Sequence, residues 1–89
     1  EFDNLKISAT KSMTGHLMGA AGAVEAILAI KAIGNNIIPP TINTVKIDPN
    51  IPKTTPIVIK EAIDHTVNVA MSNTFGFGGH NATTIFKKV

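Results

Sequence analysis

Three observations predict an α/β unit with one long buried helix and two C-terminal antiparallel strands. Residues 17–33 are almost all apolar and helix-favouring, and all five prolines fall within residues 34–56. The chain then closes with two stretches of β-favouring residues, 66–72 and 82–87, around a glycine-rich loop.

The elements follow in order. Residues 5–10 carry apolar side chains at Leu5, Ile7 and Ala9, the alternation of a short strand leading into Lys11. Thr14 is available to cap the helix of residues 17–33, and Gly34-Asn35-Asn36 is suited to stop it. Only Glu25 and Lys31 interrupt its apolar surface, so burial on most sides is expected. A membrane span needs roughly 20 apolar residues. This run is shorter and contains two charges and two glycines, so a buried helix is the better reading. The cluster Gly19-Ala20-Ala21-Gly22-Ala23 carries little side chain and predicts a tight contact with a neighbouring strand or helix.

Residues 34–56 read as an irregular connection, with Pro39-Pro40 extended. Ile57-Val58-Ile59 suits a short strand. Residues 66–72 alternate Val67, Val69 and Met71 against Thr66, Asn68 and Ala70, as a half-buried strand would. Residues 82–87 then pair with them across Phe75-Gly76-Phe77-Gly78-Gly79.

Composition narrows the class. With 44% hydrophobic residues the chain is not disordered, but 89 residues bury only about 60–65% of the surface that an unfolded chain exposes. No cysteine is present to form a disulfide or a Cys-based metal site. The net charge of +2 comes from lysines that are spread out apart from Lys87-Lys88, without aromatic interleaving, so nucleic-acid binding is not expected. The start at Glu1-Phe2-Asp3, without an initiator Met or a targeting pattern, reads as a cut inside a longer protein.

The chemistry-bearing residues cluster in Lys11 to His16, which reads Lys-Ser-Met-Thr-Gly-His where a strand end meets a helix start. Placed in or beside the first helical turn, His16 would be held neutral by the positive end of the helix dipole. It could then donate one hydrogen bond to a thioester carbonyl and stabilise the oxyanion or enolate formed there. Lys11 could orient His16 or stabilise nearby negative charge. On spacing alone, the pair reads more simply as exposed side chains or caps than as a site. The glycine-rich loop is also open: it lacks the lysine pattern of a phosphate loop, and Phe75 and Phe77 either line a non-polar substrate or pack in a core. Glu25 is most simply a solvated helix edge; if buried, it needs a partner from outside this chain. Neither His65 nor His80 has a second ligand-type residue at metal spacing, and no metal is expected.

Three segments in order, residues 11–26, residues 38–43 and residues 72–81, resemble the β-ketoacyl-acyl carrier protein synthase family. They are most similar to its type II elongating members; the modular polyketide synthases usually read Lys-Ser-Asn-Ile-Gly-His in the first motif. The ending Phe86-Lys87-Lys88-Val89 is similar to the family's C-terminus.

The resemblance implies a thiolase-like α/β/α/β/α fold of two similar halves, with residues 1–89 an incomplete C-terminal domain whose helix the missing layers would cover. It implies decarboxylative Claisen condensation of an acyl thioester with malonyl-ACP in fatty acid biosynthesis, without a cofactor. His16 would bind the malonyl thioester carbonyl, Lys11 would support the site, Phe77 would be the gating phenylalanine, and Phe75, Gly76 and Gly78 would belong to its mobile loop. Acyl carrier protein, the rest of the parent chain and a second copy are the implied partners, in the cytoplasm or an organellar stroma or matrix. The family's nucleophilic cysteine and its His-Gly-Thr histidine have no counterpart in these residues, so the chain alone is expected to be inactive. Two other readings are part of a non-catalytic, chain-length-factor-like partner and an independent small α/β binding module.

Overall fold

The computed structural model describes residues 4–89. Along the chain it forms α1 (Lys11–Thr14), α2 (Ala21–Asn35), β1 (Ile37–Ile38), β2 (Ile63–Asp64), β3 (Val69–Phe75), a 3-10 turn (Phe77–Gly79) and β4 (Asn81–Lys87).

The helix starts later than its apolar run. The N–H groups of Ala20 and Ala21 both donate to the Leu17 carbonyl, at 2.7 and 2.6 Å, so residues 17–20 form a tight turn instead of a first helical turn. Thr14 does not cap α2. Its hydroxyl faces back to the carbonyls of Thr10 and Gly15, and the N-cap position belongs to Ala20, which makes no side-chain cap. The C-terminal end falls where Gly34-Asn35-Asn36 predicts, with Asn36 left-handed at φ 53°. Asn36 also ties the helix end to the chain entering β3. Its carbonyl accepts from the His65 N–H at 3.0 Å, and its side-chain oxygen accepts from the Val67 N–H at 3.1 Å.

The connection after α2 is less irregular than the prolines suggest, because β1 pairs antiparallel with β2, Ile37 opposite Asp64 and Ile38 opposite Ile63. Pro39, which has no N–H to donate, limits β1 to two residues. The strands expected at residues 5–10 and 57–59 shrink to two parallel bridges, Ile7 with Ile57 and Thr41 with Ile59. Backbone bonds from Ile7 to Pro56, Val58 to Ile7 and Thr41 to Val58, at 2.7–2.9 Å, join the three segments side by side.

The terminal hairpin forms as predicted, with its first strand three residues later than the expected 66–72 and including Phe75. β3 and β4 are antiparallel from Val69 opposite Lys87 to Phe75 opposite Asn81, and the Gly76 N–H donates to the His80 carbonyl at 2.6 Å to close the loop. Gly78 and Gly79 have φ of 80° and 83°, left-handed conformations that other residues enter only with strain.

The strand's phase differs from the predicted one. α2 packs on β3, and the half-buried residues of β3 are Ala70, Ser72 and Thr74. Val69 and Met71 point the other way and are exposed, as is Ile85 opposite Met71. The helix meets the strand at Gly22: a Cβ placed there would lie 3.8 Å from Thr74 Oγ1, in ordinary van der Waals contact. The glycine-alanine cluster thus makes the helix–strand contact its composition predicts.

The expected all-round burial of the helix is absent within this chain. Among the described residues the buried apolar side chains are Ala21, Ile33, Val58 and Val67, while Ile27 and Ile30 are about half exposed. β3, β4 and β1 pack on α2, and the stripe that carries Ile27 and Ile30 is left uncovered by residues 4–89. No helix among the described residues is long and apolar enough to cross a membrane.

Candidate active site

Lys11 opens α1, a single turn held by N–H bonds from Met13 and Thr14 to the Thr10 carbonyl and from Gly15 to the Lys11 carbonyl. Gly15 ends it at φ 72°, a backbone turn that frees the chain to leave the helix before His16. A one-turn helix without a side-chain N-cap has little stability of its own. Its position is set by bonds to the loop after β1. Ser12 Oγ donates to the Ala9 carbonyl and accepts from the Ile42 N–H, both at 2.9 Å. Asn43 Nδ2 donates to the Ser12 carbonyl at 3.3 Å, and Thr41 Oγ1 accepts from the Ala9 N–H at 2.8 Å.

The Lys11 ammonium reaches across to α2, where it is hydrogen-bonded and ion-paired to Glu25 Oε1. The Glu25 side chain is only 12% exposed and that of Lys11 39% exposed, so water reaches the pair mainly from the lysine side. Glu25 is therefore neither a solvated helix edge nor in need of an outside partner. Burial of a carboxylate in an apolar helix requires a counter-charge, and Lys11 supplies it from within the chain.

His16 lies in the link between the two helices, five residues before Ala21, the first residue of α2. It is outside the first helical turn, so the dipole of α2 does not act on it as the sequence suggested. It is exposed, and among the described residues its imidazole makes no hydrogen bond; Lys11 pairs with Glu25 rather than orienting His16.

Phe75, at the end of β3, and Phe77, in the loop, are 76% and 89% exposed. Gly76 and Gly78 lie against His80, to which a Cβ on either glycine would approach within 3.5 and 3.7 Å. Since Thr74 packs on Gly22 in the first turn of α2, the fold brings the start of this loop to the same end of α2 that follows His16. Core packing of the two phenylalanines does not occur among the described residues.

Glu25 was visible in the sequence as the one acid in an apolar helix, but its partner was not. Ser12, Thr41 and Asn43 lie in the segments that resemble the family, but nothing in their spacing showed that they bond to one another's segments.

Residues 2–45 match the family model described as Beta-ketoacyl synthase, C-terminal domain. The chain belongs to the β-ketoacyl synthase family and carries part of its thiolase-like α/β fold. It is 51% identical over 85 residues to 3-oxoacyl-acyl-carrier-protein synthase 2 of Staphylococcus aureus, and 46% identical over 90 residues to the protein of that name from Synechocystis. Each alignment covers 96% of this chain and 20% of the relative. A crystal structure of a β-ketoacyl synthase from Burkholderia phymatum superimposes with a TM-score of 0.88 at 38% identity, over 96% of this chain and 21% of that one. The chain thus spans about a fifth of the length of these relatives.

Proposed function

We propose that this chain is an incomplete C-terminal domain of a 3-oxoacyl-acyl-carrier-protein synthase and contributes one part of its active site. The observation that carries the reading is 51% identity to such a synthase across 96% of the chain, including the Lys11 to His16 segment. The uncovered side of α2 and the exposed face of β3 and β4 support an incomplete domain, because the chain has too few buried side chains to be one by itself.

The reaction is a decarboxylative Claisen condensation. An acyl group is first held as a thioester on a cysteine supplied by the rest of the parent. The bond between the malonyl α-carbon and its carboxylate then breaks, carbon dioxide leaves, and the electron pair is delocalised onto the thioester oxygen as an enolate. The α-carbon attacks the acyl carbonyl, a carbon–carbon bond forms, and the cysteine thiolate departs. His16 donates a hydrogen bond to the malonyl thioester oxygen, stabilising charge that exists only as the reaction proceeds. Its freedom from hydrogen-bond partners among the described residues leaves the imidazole available for that role. Lys11, fixed by Glu25, supports the site electrostatically. Phe77 gates access, and Phe75, Gly76 and Gly78 form the loop that moves with it, with left-handed Gly78 and Gly79 permitting the turn.

Acyl carrier protein, carrying the acyl and malonyl groups, is the substrate-bearing partner, and the parent works as a homodimer in the cytoplasm or an organellar stroma or matrix. No cofactor is needed, since carbon–carbon cleavage itself supplies the nucleophile. Incubating the intact parent with acyl-ACP and malonyl-ACP tests this: β-ketoacyl-ACP and carbon dioxide are expected from the parent and neither from the isolated chain. Absence of condensation by the parent, or turnover by the isolated chain, overturns it.

A further inference from the structure

Lys11 is the first residue of a four-residue helix that no side-chain N-cap stabilises, yet its ammonium must meet Glu25 on a different element. Something other than α1 itself therefore fixes where Lys11 starts. The only side chain of α1 that bonds to a distant segment, among the described residues, apart from Lys11 is Ser12. Its hydroxyl is used twice, as donor to the Ala9 carbonyl and as acceptor from the Ile42 N–H thirty residues away. A hydroxyl has one donor and two acceptor sites, so the two bonds are compatible at once.

The loop it grips is itself anchored. The Thr41 N–H donates to the Val58 carbonyl at 2.7 Å, and Val58 donates to Ile7 at 2.9 Å, so the loop, residues 57–59 and the segment leading into Lys11 form one frame. Asn43, left-handed at φ 63°, turns its amide back to the Ser12 carbonyl. Ser8 Oγ closes the other end on the Pro39 carbonyl at 2.5 Å.

We propose that Ser12 is a positioning residue for malonyl decarboxylation, acting through Lys11: its hydroxyl locks α1 onto the loop of residues 39–43 and so fixes where the Lys11–Glu25 pair stands. Asn43 is the second point of that lock. The inference rests on the reading of Lys11 and His16 as active-site residues.

The test uses the intact parent synthase. Ser12→Ala lowers kcat for carbon dioxide release from malonyl-ACP by roughly ten- to a hundredfold, the scale of a small misplacement of catalytic groups. Acyl transfer to the parent's cysteine and KM for malonyl-ACP stay at parental values, and the melting temperature falls by no more than about 4 °C, as the loss of two hydrogen bonds allows. Ser12→Thr, which keeps the hydroxyl, restores decarboxylation. On a Lys11→Ala background Ser12→Ala brings no further loss, because two residues acting as a unit are not additive. Asn43→Gly, which keeps the left-handed backbone but removes the amide, gives a smaller loss of the same kind.

Parental decarboxylation in Ser12→Ala, or equal losses in both half-reactions with a larger fall in melting temperature, overturns the positioning role. So does a full additional loss on the Lys11→Ala background. His16→Ala run in parallel separates the levels: if it too decarboxylates normally, the underlying functional reading has failed rather than the role of Ser12 alone.

Discussion

Lys11, the first residue of α1, is ion-paired to Glu25 in the second turn of α2, fourteen residues further along the chain. The two partners are unequally exposed, and this makes the pair asymmetric. Removing the lysine leaves a carboxylate that water barely reaches, whereas removing the carboxylate leaves an ammonium that can turn to solvent. In the intact parent, Lys11→Met is expected to destabilise by about 2 kcal/mol and Glu25→Gln by about 1 kcal/mol. Denaturant unfolding of the two variants checks the order, and equal values would argue against the burial difference.

Gly22 and Thr74 set the distance between α2 and β3. A methyl group at Gly22 falls in ordinary contact at 3.8 Å from the threonine hydroxyl, so Gly22→Ala should be neutral or stabilising by up to about 1 kcal/mol through helix propensity. Gly22→Leu carries three more carbons beyond that contact with Thr74 and should lower the melting temperature. Tolerance of leucine would mean that the helix and strand are further apart than described.

The two loop glycines beside the phenylalanines should respond differently. Gly78 has φ 80°, so Gly78→Ala forces an unfavourable left-handed residue at about 1–2 kcal/mol. Gly76 has φ −92°, and its added Cβ would meet His80 only at van der Waals distance, so Gly76→Ala should be nearly silent in stability. Thermal denaturation of both variants in the parent decides it. If the loop moves during turnover, Gly78→Ala also slows condensation.

The exposed side of α2, with Ile27 and Ile30, and the exposed sheet face, with Val69, Met71 and Ile85, predict the behaviour of the isolated chain. It should bind a hydrophobic dye, self-associate with concentration and show weak amide protection in α2. A cooperative, well-protected monomer would instead identify an independent module.

Much of this was legible in the sequence, and the reasons for the exceptions are physical. The hairpin announced itself through β-favouring residues around glycines, and the end of α2 through Gly34-Asn35-Asn36. Its start was hidden because small apolar residues suit a turn and a helix equally, and the Leu17 carbonyl captured the turn. The phase of β3 was misread because apolar alternation identifies a buried face only when the whole fold is present. In this chain the small residues Ala70, Ser72 and Thr74 meet α2, and the larger Val69 and Met71 face outward. His16 was legible as a motif residue but not in its setting, since its expected place in a helical turn depended on that misplaced start. The pairing of Lys11 with Glu25 needed the chain to fold back across a turn that no periodicity reports.

The role of His16 is the central claim, and the release of carbon dioxide from malonyl-ACP by the intact parent tests it most directly. With cysteine acylation followed in the same preparation, His16→Ala should leave acylation in place and reduce decarboxylation by roughly a hundredfold or more, the scale seen when an oxyanion donor is lost. Decarboxylation near the parental rate in that variant would contradict the account.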